Sequence, residues 1–224
     1  MDKAEFAEKI KRRSFGADEL CLFICDLYGV RDKRPFDVKP SYYRAYKGIE
    51  IYRGLDCSEE MFNDYVEKFV YGDMFFINRL SVLGMGYYFA DKKRVASFYT
   101  NKTKFGLFKK PIISAKIMPN AKFATKQQIN EEFRNRLPEI KKVLLKKFDG
   151  LLTNEDIEYF GDILNSFAEP IVKGVILGYD GLVSMYGIKR NGNVYLVFNR
   201  GKLIIDENQI QFVKKEIEQT IQFD

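Results

Sequence analysis

The chain has 224 residues with 37 Lys+Arg against 31 Asp+Glu, a net charge of +6, and it contains neither histidine nor tryptophan. Without an imidazole there is no Ser-His-Asp or Cys-His relay, no HExxH zinc site and no histidine general base, so catalysis would rest on Arg, Tyr, Asp/Glu, Lys, Ser/Thr or Cys. A hydrophobic fraction of 46% with 20 Phe and 14 Tyr suits one large globular domain, or one domain with an appendage.

In chain order, Phe6, Ala7 and Ile10 predict a helix over 2–13, and Leu20, Leu22, Phe23, Ile24 and Leu27 predict a second over 17–28. The start of the chain has no signal-peptide h-region and no stretch approaches ~20 consecutive apolar residues, which predicts a cytoplasmic protein that does not span a membrane. Cys21 and Cys25 lie four apart on an apolar helix face and, with Cys57, form neither a paired framework nor a CxxC. Packing in a reduced setting is the expectation, with no metal site. The polar, proline-containing run 31–40 reads as a linker or long loop, so 1–48 is an N-terminal helical section and 49–224 the main domain. Glu50 to Gly54 reads as a strand ending in a glycine turn, and a helix follows from Ser58 to Val70.

Gly84 and Gly86 precede an aromatic strand, Tyr87-Tyr88-Phe89, with a helix from Asp91 to Tyr99. Pro111 to Met118 is a β-branched strand closed by Pro119-Asn120. Two or three helices fill 127–167. Their basic run, Lys141, Lys142, Lys146 and Lys147, reads as a solvated face. Strands return at Gly181–Met185, at Asn193–Phe198 after an Asn191-Gly192 turn, and at Leu203–Ile205, before a charged helix over 206–219.

Two segments stand out: Ile51-Tyr52-Arg53-Gly54, and Gly84-Met85-Gly86-Tyr87-Tyr88-Phe89-Ala90-Asp91 with Tyr99 eleven residues after Tyr88. Together they resemble the NAD-binding core of the ADP-ribosyltransferase superfamily. In its poly-ADP-ribose polymerase branch a strand ends in His-Gly, GxGxYFAD follows, and then comes a helix ending in Tyr. Pro111–Ile117 with Pro119-Asn120-Ala121, then Gly178-Tyr179-Asp180-Gly181 and Tyr195-Leu196-Val197-Phe198, extend the resemblance over residues 49–205. It implies an α+β fold, a split sandwich of two small, mainly antiparallel sheets with peripheral helices, and NAD as substrate in the cleft between them.

By the resemblance, Arg53 stands where the polymerases have His and matches the toxin-like branch. Its guanidinium would donate to a ribose hydroxyl or a phosphate. Gly54 and Gly86 would let backbone approach the ligand, Tyr88 would lie along the nicotinamide ribose, and Tyr99 would stack on the nicotinamide. The sequence departs from the pattern at Val194, where the family has a Glu that orients the ribose. Asn193 at a shifted register, Asp180, or binding without efficient transfer are the alternatives. The resemblance therefore implies a mono-ADP-ribosyltransferase acting on a protein or nucleic acid, of the kind bacteria and phages use as effectors, toxins or anti-defence proteins. A degenerate module that binds NAD, ADP-ribose or nucleic acid without chemistry is the alternative. Acceptor contacts are expected on the helices at 1–28 and 127–167.

Overall fold

The computed structural model describes residues 1–55, 57–72, 86–97, 111–186 and 192–208. The chain opens with α1 (Lys3–Lys11) and α2 (Ala17–Leu27), as predicted. Asp2 accepts the Glu5 amide at 2.8 Å and Glu19 accepts the Gly16 amide at 3.0 Å, so each helix start has a donor satisfied. The 31–40 run, which the sequence reads as a loop, contains a strand, β1 (Phe36–Val38). Helix α3 (Pro40–Ala45) follows with its proline in the first turn, where no amide is needed.

Strand β2 (Ile49–Gly54), helix α4 (Glu59–Val70), strand β3 (Tyr87–Ala90) and strand β4 (Ile112–Ile117) fall where the pattern puts them. Helix α5 (Lys93–Ala96) is a single described turn of the helix expected to reach Tyr99. Gly84, Tyr99 and the Asn191 turn position lie outside the described residues, as does the predicted terminal helix beyond residue 208. A two-residue strand, β5 (Phe123–Ala124), leads into α6 (Lys126–Asn135), α7 (Leu137–Phe148) and α8 (Asn154–Phe167). Thr125 with Gln128, and Thr153 with Asp156, form reciprocal caps on α6 and α8. Helix α9 (Pro170–Leu177) is not apparent in the apolar periodicity, yet it starts on Pro170 and stops at Gly178, whose φ of 81° suits glycine. Strands β6 (Gly181–Tyr186), β7 (Gly192–Val197) and β8 (Leu203–Asp206) complete the described elements.

The protein is α+β, but the expectation of two separate sheets is corrected. The strands form one mixed eight-stranded sheet in the order β1-β8-β4-β2-β3-β7-β6-β5. Both outer pairs, β1 with β8 and β5 with β6, are parallel, and the rest are antiparallel. The cause is one residue pair. Tyr52 of β2 opposes Ala90 of β3, whereas β2 runs its full length beside β4 and β3 its full length beside β7. Helix α5 covers this seam, with Val95 and Ala96 packed among Ala90, Tyr52 and Ile112.

Strand alternation sorts the apolar residues to two faces. Leu182, Val194 and Leu196 face the helical layer of α1, α2 and α6–α9. There Phe6 stacks on Phe23 at 3.9 Å and Phe148 packs edge-on to Phe160 at 6.1 Å, tying four helices together. Cys21 and Cys25 are fully buried in this layer, and their mutual hydrogen bond and burial push the Cys21 thiol pKa up. The opposite face carries Ile51, Tyr87, Phe89, Ile113, Ala115, Tyr195, Val197 and Leu203 with Phe69 and Val70 of α4, so one core draws on both halves of the sheet. No helix of the described residues is long and apolar enough to cross a membrane.

Lys116 of β4 is buried and points at the last turn of α3, donating to the carbonyls of Tyr43 at 2.7 Å and Tyr46 at 3.0 Å. A cation at a helix C-terminus offsets the partial negative charge there. Lys116→Met should therefore lower unfolding free energy by about 2 kcal/mol, the scale of a lost charged hydrogen bond. Urea unfolding checks it, and an unchanged midpoint would mean those carbonyls are satisfied without the ammonium.

Candidate functional site

Arg53 sits on β2 one residue past the seam pair, where the β2–β3 ladder stops. Its Nη1 donates to the Tyr88 carbonyl of β3 at 3.3 Å, in the region where ladder bonds would otherwise continue. The guanidinium lies 5.6 Å from the centre of the Tyr87 ring, a cation–π distance. Burial pushes its pKa below the ordinary arginine value, opposed by the hydroxyls of Tyr87, Tyr65 and Tyr88, and it stays cationic at any physiological pH. Among the described residues no carboxylate lies within ion-pair distance of Arg53. A guanidinium has five N–H donors, and among the described residues the Tyr88 carbonyl is the one group that accepts from it.

A second arginine, which the sequence pattern does not single out, shares this ring. Arg200 follows β7 in a single 3-10 turn, Arg200–Lys202, and is 1% exposed. Its guanidinium lies 5.2 Å from the Tyr87 ring centre and donates to the carbonyls of Phe69 and Gly72 at the end of α4. Phe69 meets Tyr87 edge-on at 5.3 Å. Arg200 thus fastens the C-terminal end of α4 to the strand that Arg53 grips from the other side of the seam. A polar Asn-Arg-Gly-Lys turn gives no hint of this, because burial of its arginine depends on contacts about 130 residues away in the chain.

The other sequence-predicted residues divide. Tyr88 projects toward the helical layer while Tyr87 projects to the opposite core, so Arg53 meets Tyr88 through its backbone carbonyl and through the field of its hydroxyl. Gly54 pairs with Ile112 at the open end of the seam. Gly86 has a φ of 141°, and a Cβ there would lie 2.7 Å from the Leu196 side chain and 3.1 Å from the Val197 carbonyl. The close approach that the sequence assigned to a ligand is taken up by β7.

Val194 is 4% exposed, opposes Ala90, and lies on the Tyr88 face, diagonal to Tyr88. Asn193 is on the other face. Its backbone exchanges hydrogen bonds with Asp91, its amide to Oδ2 at 2.9 Å and its carbonyl from the Asp91 amide at 3.1 Å. Asn193 is therefore not a substitute projecting from the Val194 face. Asp180 is two strands from β3, roughly 10 Å at about 4.8 Å per strand. Its Oδ1 accepts Asn199 Nδ2 at 2.7 Å, its Oδ2 accepts the Lys122 amide at 2.9 Å, and its carbonyl accepts the amides of Phe198 and Asn199. These bonds bind the β4–β5 connection to the end of β7.

A groove of about 580 Å³ opens between the halves of the sheet at the other end of β2, lined by Ile49, Ile117, Met118, Phe123, Val183 and Tyr195 among others. Phe123 packs edge-on to Tyr195 at 5.5 Å, and burial raises the Tyr195 hydroxyl pKa. The groove includes neither Arg53 nor Tyr88.

No protein-family model matches the chain, and neither a curated protein nor a solved structure matches it.

Two variants separate structural from chemical roles. Asp180→Ala should lower stability by about 2–4 kcal/mol through the buried donors it strands, and Gly86→Ala should destabilise by a similar amount through its φ and its contact with Leu196. Chemical denaturation checks both, and an Asp180→Ala protein of unchanged stability would return Asp180 to the list of candidate acids.

Proposed function

We propose that the protein is a mono-ADP-ribosyltransferase that moves ADP-ribose from NAD to a macromolecular acceptor. The observation that carries the reading is Arg53: a partly buried guanidinium at the open end of a one-pair seam, held to β3 by the Tyr88 carbonyl and lacking a carboxylate partner among the described residues. The ordered motifs 51–54 and 84–91 supply the reaction class by resemblance.

In this reaction the nicotinamide leaves C1′ of its ribose with the bonding pair, and an acceptor nucleophile bonds that carbon and loses a proton. Arg53 fits the substrate because its spare donors match a ribose hydroxyl or a diphosphate oxygen in a fixed fork. Gly54 would leave backbone accessible beside it, and the Tyr88 hydroxyl, whose field reaches the guanidinium, would line the ribose side. Tyr99 would stack on the nicotinamide. Poly-ADP-ribose synthesis is not part of the proposal, since chain elongation goes with the His-Tyr-Glu set that this chain lacks. A cytoplasmic effector or anti-defence protein is the setting in which such an activity would act.

Val194 favours a second reading. An apolar, buried side chain where the family has its carboxylate suits a module that binds NAD or ADP-ribose without transferring it.

Labelled NAD distinguishes the two. Wild-type protein with cell lysate should release nicotinamide and leave label on protein or nucleic acid. Arg53→Ala should reduce release by about 100-fold, the scale of losing one preorganised charge-stabilising donor, and Arg53→Lys by about 10-fold because the fork is lost. Thermal stabilisation by NAD without release would establish the binding module, and neither stabilisation nor release would end both readings.

A further inference from the structure

We infer that the stretch 33–47, along the β1 edge of the sheet, is a binding surface for single-stranded nucleic acid. It adds an acceptor class to the transferase reading but stands on separate observations, so binding and transfer are scored independently.

The first observation is a local excess of positive charge. Residues 1–28 hold five basic and six acidic side chains, net −1, and residues 126–169 hold seven basic and nine acidic, net −2. Residues 31–47 hold six basic and two acidic, net +4. The helical layer, where the sequence alone points for acceptor contacts, is thus slightly acidic. Four of its twelve cations are in ion pairs among the described residues: Lys9 bonds Glu19, Lys11 bonds Glu8, Arg136 bonds Glu132 and Glu139, and Lys141 bonds Glu158 and Asp162. In the basic stretch Arg31 bonds Asp26, but Lys33, Arg34, Lys39, Arg44 and Lys47 are all exposed and none is in an ion pair among the described residues.

The second observation is what stands between those cations. Phe36 is 56% exposed and Tyr42 54%, and the Tyr42 and Tyr46 rings lie 5.8 Å apart at 39°. Elsewhere most described Phe rings are buried. Exposed rings interleaved with unpaired cations match a strand of phosphates whose bases are free to stack. A duplex hides its base faces, and an acidic peptide has no flat heterocycles to meet the rings, so single strands fit best.

The third observation is rigidity. Strand β1 is paired to β8, Pro40 starts α3, and the buried Lys116 holds the carbonyls of Tyr43 and Tyr46. Little ordering remains to oppose binding, and Lys116 offsets the negative end of α3 beneath Arg44 and Lys47. The surface also leads to the candidate site. Arg34 lies 5.9 Å from the Tyr71 ring centre at the C-cap of α4, the helix end that Arg200 fastens to Tyr87 beneath Arg53.

The test is fluorescence anisotropy with a labelled single-stranded RNA and a DNA of mixed sequence, a duplex of equal length, and poly-glutamate as competitor, between about 50 and 200 mM salt. Wild type should bind single strands, with log affinity falling against log salt by about 0.7 per phosphate contacted. Lys39→Glu with Arg44→Glu should weaken binding at least tenfold, and Tyr42→Ala about fivefold with the salt slope unchanged. Lys142→Glu with Lys146→Glu, exposed on α7, should change it less than twofold. Absence of binding, equal affinity for the duplex, competition by poly-glutamate at equal charge, or an unchanged Tyr42→Ala affinity would each overturn the inference. Failure of the two readings is distinguishable: loss of binding at Tyr42 leaves the cleft chemistry to be judged by nicotinamide release from free NAD, and absence of release from wild type leaves this surface to be judged by anisotropy alone.

Discussion

The candidate site depends on two guanidiniums over one aromatic ring. Tyr87 lies beneath Arg53 at 5.6 Å and Arg200 at 5.2 Å, and each arginine spends hydrogen bonds on a different part of the backbone. Arg200 takes the carbonyls that end α4, where a helix carries partial negative charge. Arg53 takes the Tyr88 carbonyl, across the point where the sheet is joined by a single residue pair. Two like charges at this range repel, and the ring's negative face offsets that only in part. The arrangement therefore favours negative charge near Arg53, for which the described residues supply no carboxylate.

The seam also explains how one sheet serves two environments. Because β2 and β3 touch at Tyr52 and Ala90 alone, the halves can turn toward each other around the core of Ile113, Tyr87, Phe89 and Val197, while the outer face of β6 and β7 is left for the helices. Asp180 keeps the turn closed by holding Lys122 and Asn199 together. The helical layer packs on the half-sheet that carries β3 through Leu182, Val194 and Leu196. Lys33, Arg34, Lys39, Arg44 and Lys47, outside any ion pair among the described residues, lie along the opposite sheet edge.

Much of this was legible in the residues. The period-two alternation of Tyr87, Tyr88 and Phe89 predicts the strand, and it also predicts that adjacent tyrosines face apart, as they do. Apolar spacing was enough to locate α1 and α2, while the three helices α6, α7 and α8 were legible only as two or three helices filling 127–167. Strands β1 and β5 were not legible, since a three-residue and a two-residue parallel edge strand carry too short an alternation to rise above their polar surroundings. Whether the halves join was beyond reach as well, because one backbone pair decides it. Arg200 and Lys116 were invisible for a different reason: their partners are main-chain carbonyls, which have no signature in the sequence.

Val194 bears most directly on chemistry. A carboxylate at that position would lie diagonal to Tyr88 on the face of the helical core, 4% exposed and opposite Ala90. Desolvation there would raise its pKa and favour the neutral acid, so the site as built is poorly suited to an ionised Glu. Lacking that group and any imidazole, the transferase reading must draw its rate from Arg53, from exclusion of water and from the acceptor itself. An acceptor oxygen that is already ionised at neutral pH, as a terminal phosphate is, needs no general base. Under the proposed transfer, that requirement and the basic, aromatic edge between Lys33 and Lys47 would both suit a nucleic-acid acceptor, one on proton balance at C1′ and the other on local charge and exposed rings.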